Sequence, residues 1–202
     1  MQNYIEYDRL VKYREKDLID KPIVIYVHRI KEDIVASFHK SISEAHTTGQ
    51  PVIPIVIDSF GGCAYALQSL ISGIKNSKRP VATIVEGKAM SSGAILFSCG
   101  TPGYRYMGPE STLMIHDVSS TANGKSGEVE ADAMETKRIN ETIHKMMARS
   151  CGQPEGYFLD MIHERGHSDL YLTAKECLAH RITDHIHIPT LRTSVQVTHE
   201  FR

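Results

Sequence analysis

Residues 79–100, RPVATIVEGKAMSSGAILFSCG, decide how the rest of the chain is read. RPVATIVEG (79–87) is rich in β-branched residues and reads as a strand. SGAILFSCG (92–100) reads as a helix. Between them the small residues of GKAMSSGA (87–94) make a turn that carries two adjacent serines. The same alternation appears upstream. PIVIYVHRI (22–30) and PVIPIVIDS (51–59) are strand-like, the second continuous enough to be buried on both faces. DIVASFHKSISEAHTTG (33–49) and CAYALQSLISGIKNS (63–77) have helical apolar spacing, the first with a glycine C-cap. Downstream, YRYMGPESTLMIHDV (104–118) reads as two short strands broken at Gly108-Pro109. Residues 127–152 form the longest helix, with an apolar stripe of Met134, Ile139, Ile143, Met146 and Met147. PEGYFLDMIHERG (154–166) and TAKECLAHR (173–181) are shorter helices. Repeated strand–helix–strand units predict an α/β fold on a largely parallel sheet. With no repeat or low-complexity linker, residues 1–202 read as a single domain.

Composition narrows the partners. The chain has 202 residues, 41% of them apolar, with 23 basic and 24 acidic side chains and a net charge of -1. That balance gives no electrostatic reason for nucleic acid or an anionic membrane as partner. No apolar run is long enough to span a bilayer. The first residues, MQNYIEYDRL, resemble neither a secretory signal nor a transit peptide. Cys63, Cys99, Cys151 and Cys177 lack CxxC spacing and read as reduced, mostly buried thiols of a cytoplasmic protein. His185 and His187 form an HxH pair with no nearby cysteine pair and read as part of a solvated segment, so neither a metal nor a cofactor is expected in this chain.

Four stretches carry chemistry. Ser91 lies on a strand-to-helix turn, where a nucleophile can be held above a sheet beside free backbone N–H groups. An N-cap pair formed by Ser91 and Ser92 is the plainer alternative. DSFGGCA (58–64) also joins a buried strand to a helix. Its Gly61-Gly62 either allow close backbone approach to an anionic ligand or make a tight turn. His116 ends the apolar strand LMI. Asp169 precedes Tyr171 and Leu172, which are expected to draw it inward, where a histidine N–H is an economical partner. A Ser91–His116–Asp169 arrangement of nucleophile, base and orienting acid is available.

These stretches resemble the family of ClpP, the proteolytic subunit of the Clp protease. Gly87, Ala89, Ser91, Gly93 and Ala94 match its serine motif. Pro109, Ser111, Met114, Ile115 and His116 match its histidine motif. Asp169, Tyr171, Leu172, Thr173 and Ala174 match the run around its acid, and Gly61-Gly62 follow Ser59 as its glycine pair follows a serine. The similarity runs from about residue 22 to 186, with the motifs in the family's order. It implies the ClpP/crotonase-like fold of repeated β-β-α and βα units, with a projecting handle over about 119–152. It implies the catalytic residues Ser91, His116 and Asp169, with the N–H groups of Gly62 and Ser92 as oxyanion hole. It also implies self-association into stacked rings, as two heptamers. An AAA+ Clp ATPase would consume the ATP and feed in unfolded polypeptide. An inactive ring or scaffold subunit and a crotonase-fold acyl-CoA-binding protein are the alternatives. The sequence departs from the family at Phe60 (usually proline, with packing of the ring as the expected substitute), at Asp117-Val118 (often Gln-Pro) and at Ser168 (usually arginine). The segment before residue 22 does not match the family's axial loop.

Overall fold

The computed structural model describes residues 22–190. The segment before residue 22 and the tail after residue 190 therefore lie outside the described residues. In chain order the elements are β1 (Ile25–Val27), α1 (Glu32–Thr47), β2 (Ile53–Ser59), α2 (Ala64–Lys75), β3 (Val81–Met90) and α3 (Ser92–Ser98). They continue as β4 (Arg105–Met107), β5 (Thr112–Ile115), α4 (Ser126–Ser150), α5 (Tyr157–His163), β6 (Leu170–Thr173) and α6 (Ala174–Ala179).

The strands form one sheet in the order β1-β2-β3-β5-β6, with β4 pairing β3 beside β5. All pairs are parallel except β5 with β6. The α/β architecture with a largely parallel sheet is thus present. β1 is shorter than the stretch PIVIYVHRI suggests: it is an edge strand, and its Tyr26 faces outward. β3 is longer than expected and continues through Gly87 and Lys88 to Met90. Neither residue favours strands, but β3 has two successive partners. Thr83–Val85 pair with Arg105–Met107, and Lys88–Met90 pair with Thr112–Met114. Main-chain pairing overrides local preference, and the serine turn begins one residue after the strand ends.

Helices α1 and α2 pack on each other, as do α3 and α4 and α4 and α5. The core includes Ile53, Ile55 and Ile57 of β2, Leu67 and Leu70 of α2, and Phe97 and Phe158. Every residue of α3 is buried. Cys99, Cys151 and Cys177 are buried free thiols, and Cys63 is half-buried. Burial pushes the Cys151 and Cys177 thiols up to about 12.

The stripe expected along α4 divides in two. Ile139, Ile143 and Met147 are buried in the chain's own core, and Met146 packs against it, whereas Met134 is exposed. The helix is exposed on all sides from Ser126 to Met134. Only its second half is anchored. Among the described residues no helix is long and apolar enough to cross a membrane.

Candidate active site

Strand register brings the site together. Met90 is paired with Met114, and the Ser91 N–H donates to the Met114 carbonyl at 2.8 Å. Ser91 and His116 therefore leave adjacent parallel strands at the same edge. On the far side of β5, Ile115 is opposite Leu170 in the antiparallel pair, so His116 comes level with Asp169. The His116 Nε2 is 2.8 Å from Ser91 Oγ, and its Nδ1 is 3.5 Å from Asp169 Oδ1. The first is a good hydrogen bond; the second is longer than one.

Ser91 has φ 54 and ψ -126, a strained backbone for a residue with a side chain. Its hydroxyl caps no helix N–H: α3 has no side-chain cap. This separates it from the N-cap alternative. The Ser92 hydroxyl does not reach His116 but donates to the Gly62 carbonyl at 3.0 Å.

The glycine loop is held from three directions. Ile30 N–H donates to the Gly61 carbonyl, and Cys63 N–H donates to the Ile30 carbonyl. The Gly61 N–H donates to Ser59 Oγ at 3.0 Å. Gly61 and Gly62 have φ of 103 and 147. A Cβ at Gly61 would lie 2.7 Å from that of Ser91, and one at Gly62 would collide with the Ile30 carbonyl oxygen. Close backbone approach, rather than the turn alone, demands glycine at both. Among the described residues, the N–H groups of Gly62 and Ser92 have no loop or cap partner.

Two expectations need correction. Asp169 is half-exposed, because Leu170 and Leu172 turn inward and Tyr171 turns outward. The alternation of β6, a strand that the sequence reading does not assign, separates Tyr171 from Leu172. Phe60 is 73% exposed and anchors nothing by burial. Instead Lys88 lies over its ring at 4.4 Å while pairing with Asp58, and Ser59 supplies the restraint on the loop.

Asp117 does not face the His116 ring. Its carboxylate accepts from Asn140 Nδ2 at 2.6 Å and from His167 Nδ1 at 2.7 Å, with His163 Nε2 at 3.6 Å. Burial opposes its ionisation, but these partners outweigh it and hold the carboxyl below the usual range. Sequence reasoning passed over His163 and His167, although residues 163–167 read H-E-R-G-H, an H-E-x-x-H run; α5 ends at His163 and His167 has φ 62, so the two rings do not share a helix face. The HxH pair it did consider is occupied otherwise: His185 stacks on Tyr106 and bonds the Gly103 carbonyl.

Ser91 and His116 open onto a cleft of about 600 Å³. Its lining includes Gly62, Ile95, Ile139, Ile143 and His144. His144 is fully buried. Its Nδ1 bonds the Asn140 carbonyl, so that nitrogen carries the proton, and its Nε2 has no partner among the described residues. Burial pushes its pKa down and favours the neutral ring.

A largely parallel α/β sheet with a strained serine, a histidine and a glycine loop at the edge where its parallel strands end places a candidate site where open α/β sheets bind their ligands. The model of the Clp protease family matches residues 7–189, and the chain belongs to that family.

Proposed function

We propose that this chain is a serine endopeptidase subunit that hydrolyses unfolded polypeptide through an acyl-enzyme. The observation that carries the reading is the 2.8 Å contact between Ser91 Oγ and His116 Nε2. Ser91 Oγ attacks the scissile carbonyl while His116 Nε2 takes its proton. The carbonyl oxygen becomes an oxyanion that receives the N–H groups of Gly62 and Ser92. His116 returns the proton to the leaving amine, and the C–N bond breaks. Water, deprotonated by His116, then releases the second product from Ser91. Asp169 faces Nδ1 and favours the tautomer that leaves Nε2 free to accept. The cleft provides room for the residue preceding the scissile bond. No cofactor enters this sequence.

The chain acts, in this reading, within stacked rings fed by an AAA+ unfoldase. The support is family membership together with the exposed first half of α4, where Val129 and Met134 are solvent-facing apolar residues. A bare acyl-CoA-binding role needs neither a strained serine nor its histidine partner. The test is a fluorophosphonate probe. One adduct on Ser91, absent in Ser91→Ala together with hydrolysis of a fluorogenic peptide, is the expected result. An unlabelled wild-type protein, assembled but inert, would favour a scaffold.

A further inference from the structure

Asp117, His163 and His167 form a second cluster, separate from the cleft that Ser91 faces. One nitrogen from each histidine and one carboxylate oxygen all lie within 4.8 Å of one another. The three residues line a surface cavity of about 450 Å³, which leaves room for water as a further ligand. The His163 side chain is 44% exposed and that of His167 63%, whereas Asp117 is only a quarter exposed. Two imidazoles and one carboxylate with an open position are the donor set of a zinc-class divalent ion. The H-x3-H spacing belongs to the same chemistry. Asn140 Nδ2 bonds Asp117 Oδ1 and so fixes the carboxylate from outside, as outer partners of metal ligands do. The ring centroids of His163 and His167 are 4.2 Å apart, so a small ring movement suffices to bring both nitrogens to one ion.

We propose that Asp117, His163 and His167 bind one divalent transition ion of the zinc class, and that the ion braces the segments carrying His116 and Asp169. Asp117 directly follows His116, and His167 stands two residues before Asp169. An ion bonded to both 117 and 167 ties the end of β5 to the start of β6, across which the His116–Asp169 separation is 3.5 Å. On binding, His167 gives its Nδ1 lone pair to the metal. The proton that Nδ1 now donates to Asp117 moves to Nε2 through solvent, so the ring stays neutral. His163 binds through Nε2 and Asp117 through a carboxylate oxygen.

The bracing rests on the peptidase reading; the site itself does not, and the test separates them. The tag-free full chain is stripped with a chelator and titrated with Co²⁺, read by its visible absorbance, and then with Zn²⁺ in competition. About one equivalent per subunit is expected, with the absorbance of a four-coordinate ion. His163→Ala and His167→Ala should each weaken binding by tenfold or more, while the double variant His185→Ala/His187→Ala binds as wild type does. No stoichiometric binding, or binding unchanged in both single variants, overturns the site. For the bracing, fluorophosphonate labelling of Ser91 is timed with and without Zn²⁺. Loaded wild type should label about tenfold faster, within the roughly hundredfold that misplacement by an ångström costs. His163→Ala should show no such gain. Equal rates in a wild-type protein that binds the ion overturn the bracing and leave the site standing.

Discussion

The hydroxyl of Ser92 donates to the carbonyl of Gly62 at 3.0 Å, tying the turn that bears Ser91 to the glycine loop that faces it. Both proposed oxyanion donors are thus held by one side-chain bond. Ser92→Ala keeps the N–H of residue 92 but frees Gly62. A net hydrogen bond is worth about 1 kcal/mol, so kcat for a fluorogenic peptide should fall by about fivefold. Ser91→Ala should remove activity and labelling together. Persistent labelling of Ser91→Ala would show that the nucleophile lies elsewhere.

Asp169, the proposed orienting acid, lies half-exposed, 3.5 Å from His116 Nδ1. Solvent screens a carboxylate at that exposure and weakens its hold on the ring. Asp169→Asn should therefore lower kcat by about 10- to 100-fold, less than the 10⁴-fold of the buried chymotrypsin acid that serves as reference. The measurement is steady-state peptide hydrolysis, and an unchanged kcat excludes Asp169 from the site.

Gly62→Ala places a methyl group against the Ile30 carbonyl at a φ of 147. The loop must move, taking its N–H with it. Loss of one oxyanion donor costs about 100- to 1000-fold in kcat. Peptide hydrolysis should drop by that factor while circular dichroism still reports a folded chain. Full activity would remove Gly62 from the oxyanion hole.

Ile143→Asp and Met134→Asp should part company. Ile143 is 3% exposed inside the subunit's own core, so an unpaired carboxylate there costs several kcal/mol and unfolds the subunit. Met134 is 69% exposed on the first half of α4. Its replacement should leave the subunit folded and yield a smaller species by native mass measurement. Unchanged assembly would move the proposed contact between rings away from this part of α4.

Arg105 and Asp184 form a fork-like pair, with Arg105 Nη2 2.6 Å from Oδ1 and Nε 2.9 Å from Oδ2. Burial raises the Asp184 pKa, but Arg105 outweighs it and the carboxyl is held below its ordinary value. Its contribution is full above the unfolded pKa, near about 3.9, and is lost as pH falls through the lower folded value. Asp184→Asn leaves Arg105 buried without its charge partner and should cost about 3 kcal/mol at neutral pH. The variant's denaturant stability should also vary less with pH below about 4 than that of wild type. Parallel curves for the two proteins would show that Asp184 is not a source of the acid sensitivity.

Much of this protein is written locally. The β-branched run 51–59, the helical spacing of 33–49 and the serine turn after residue 87 are short-range patterns, and local sterics and apolar periodicity suffice to read them. The motifs around Ser91, His116 and Asp169 named the family before any coordinate was known, and the family match agrees. What only the tertiary structure decided depends on partners distant in sequence. β3 reaches Met90 because β5 pairs with its end. Tyr171 faces outward because β6 lies antiparallel to β5 and alternates its side chains. Ile139 and Ile143 belong to the subunit core, since an apolar stripe specifies that a helix face is covered but not by which surface. His163 and His167 meet Asp117 across a separation of about 50 residues, and no local pattern encodes that meeting.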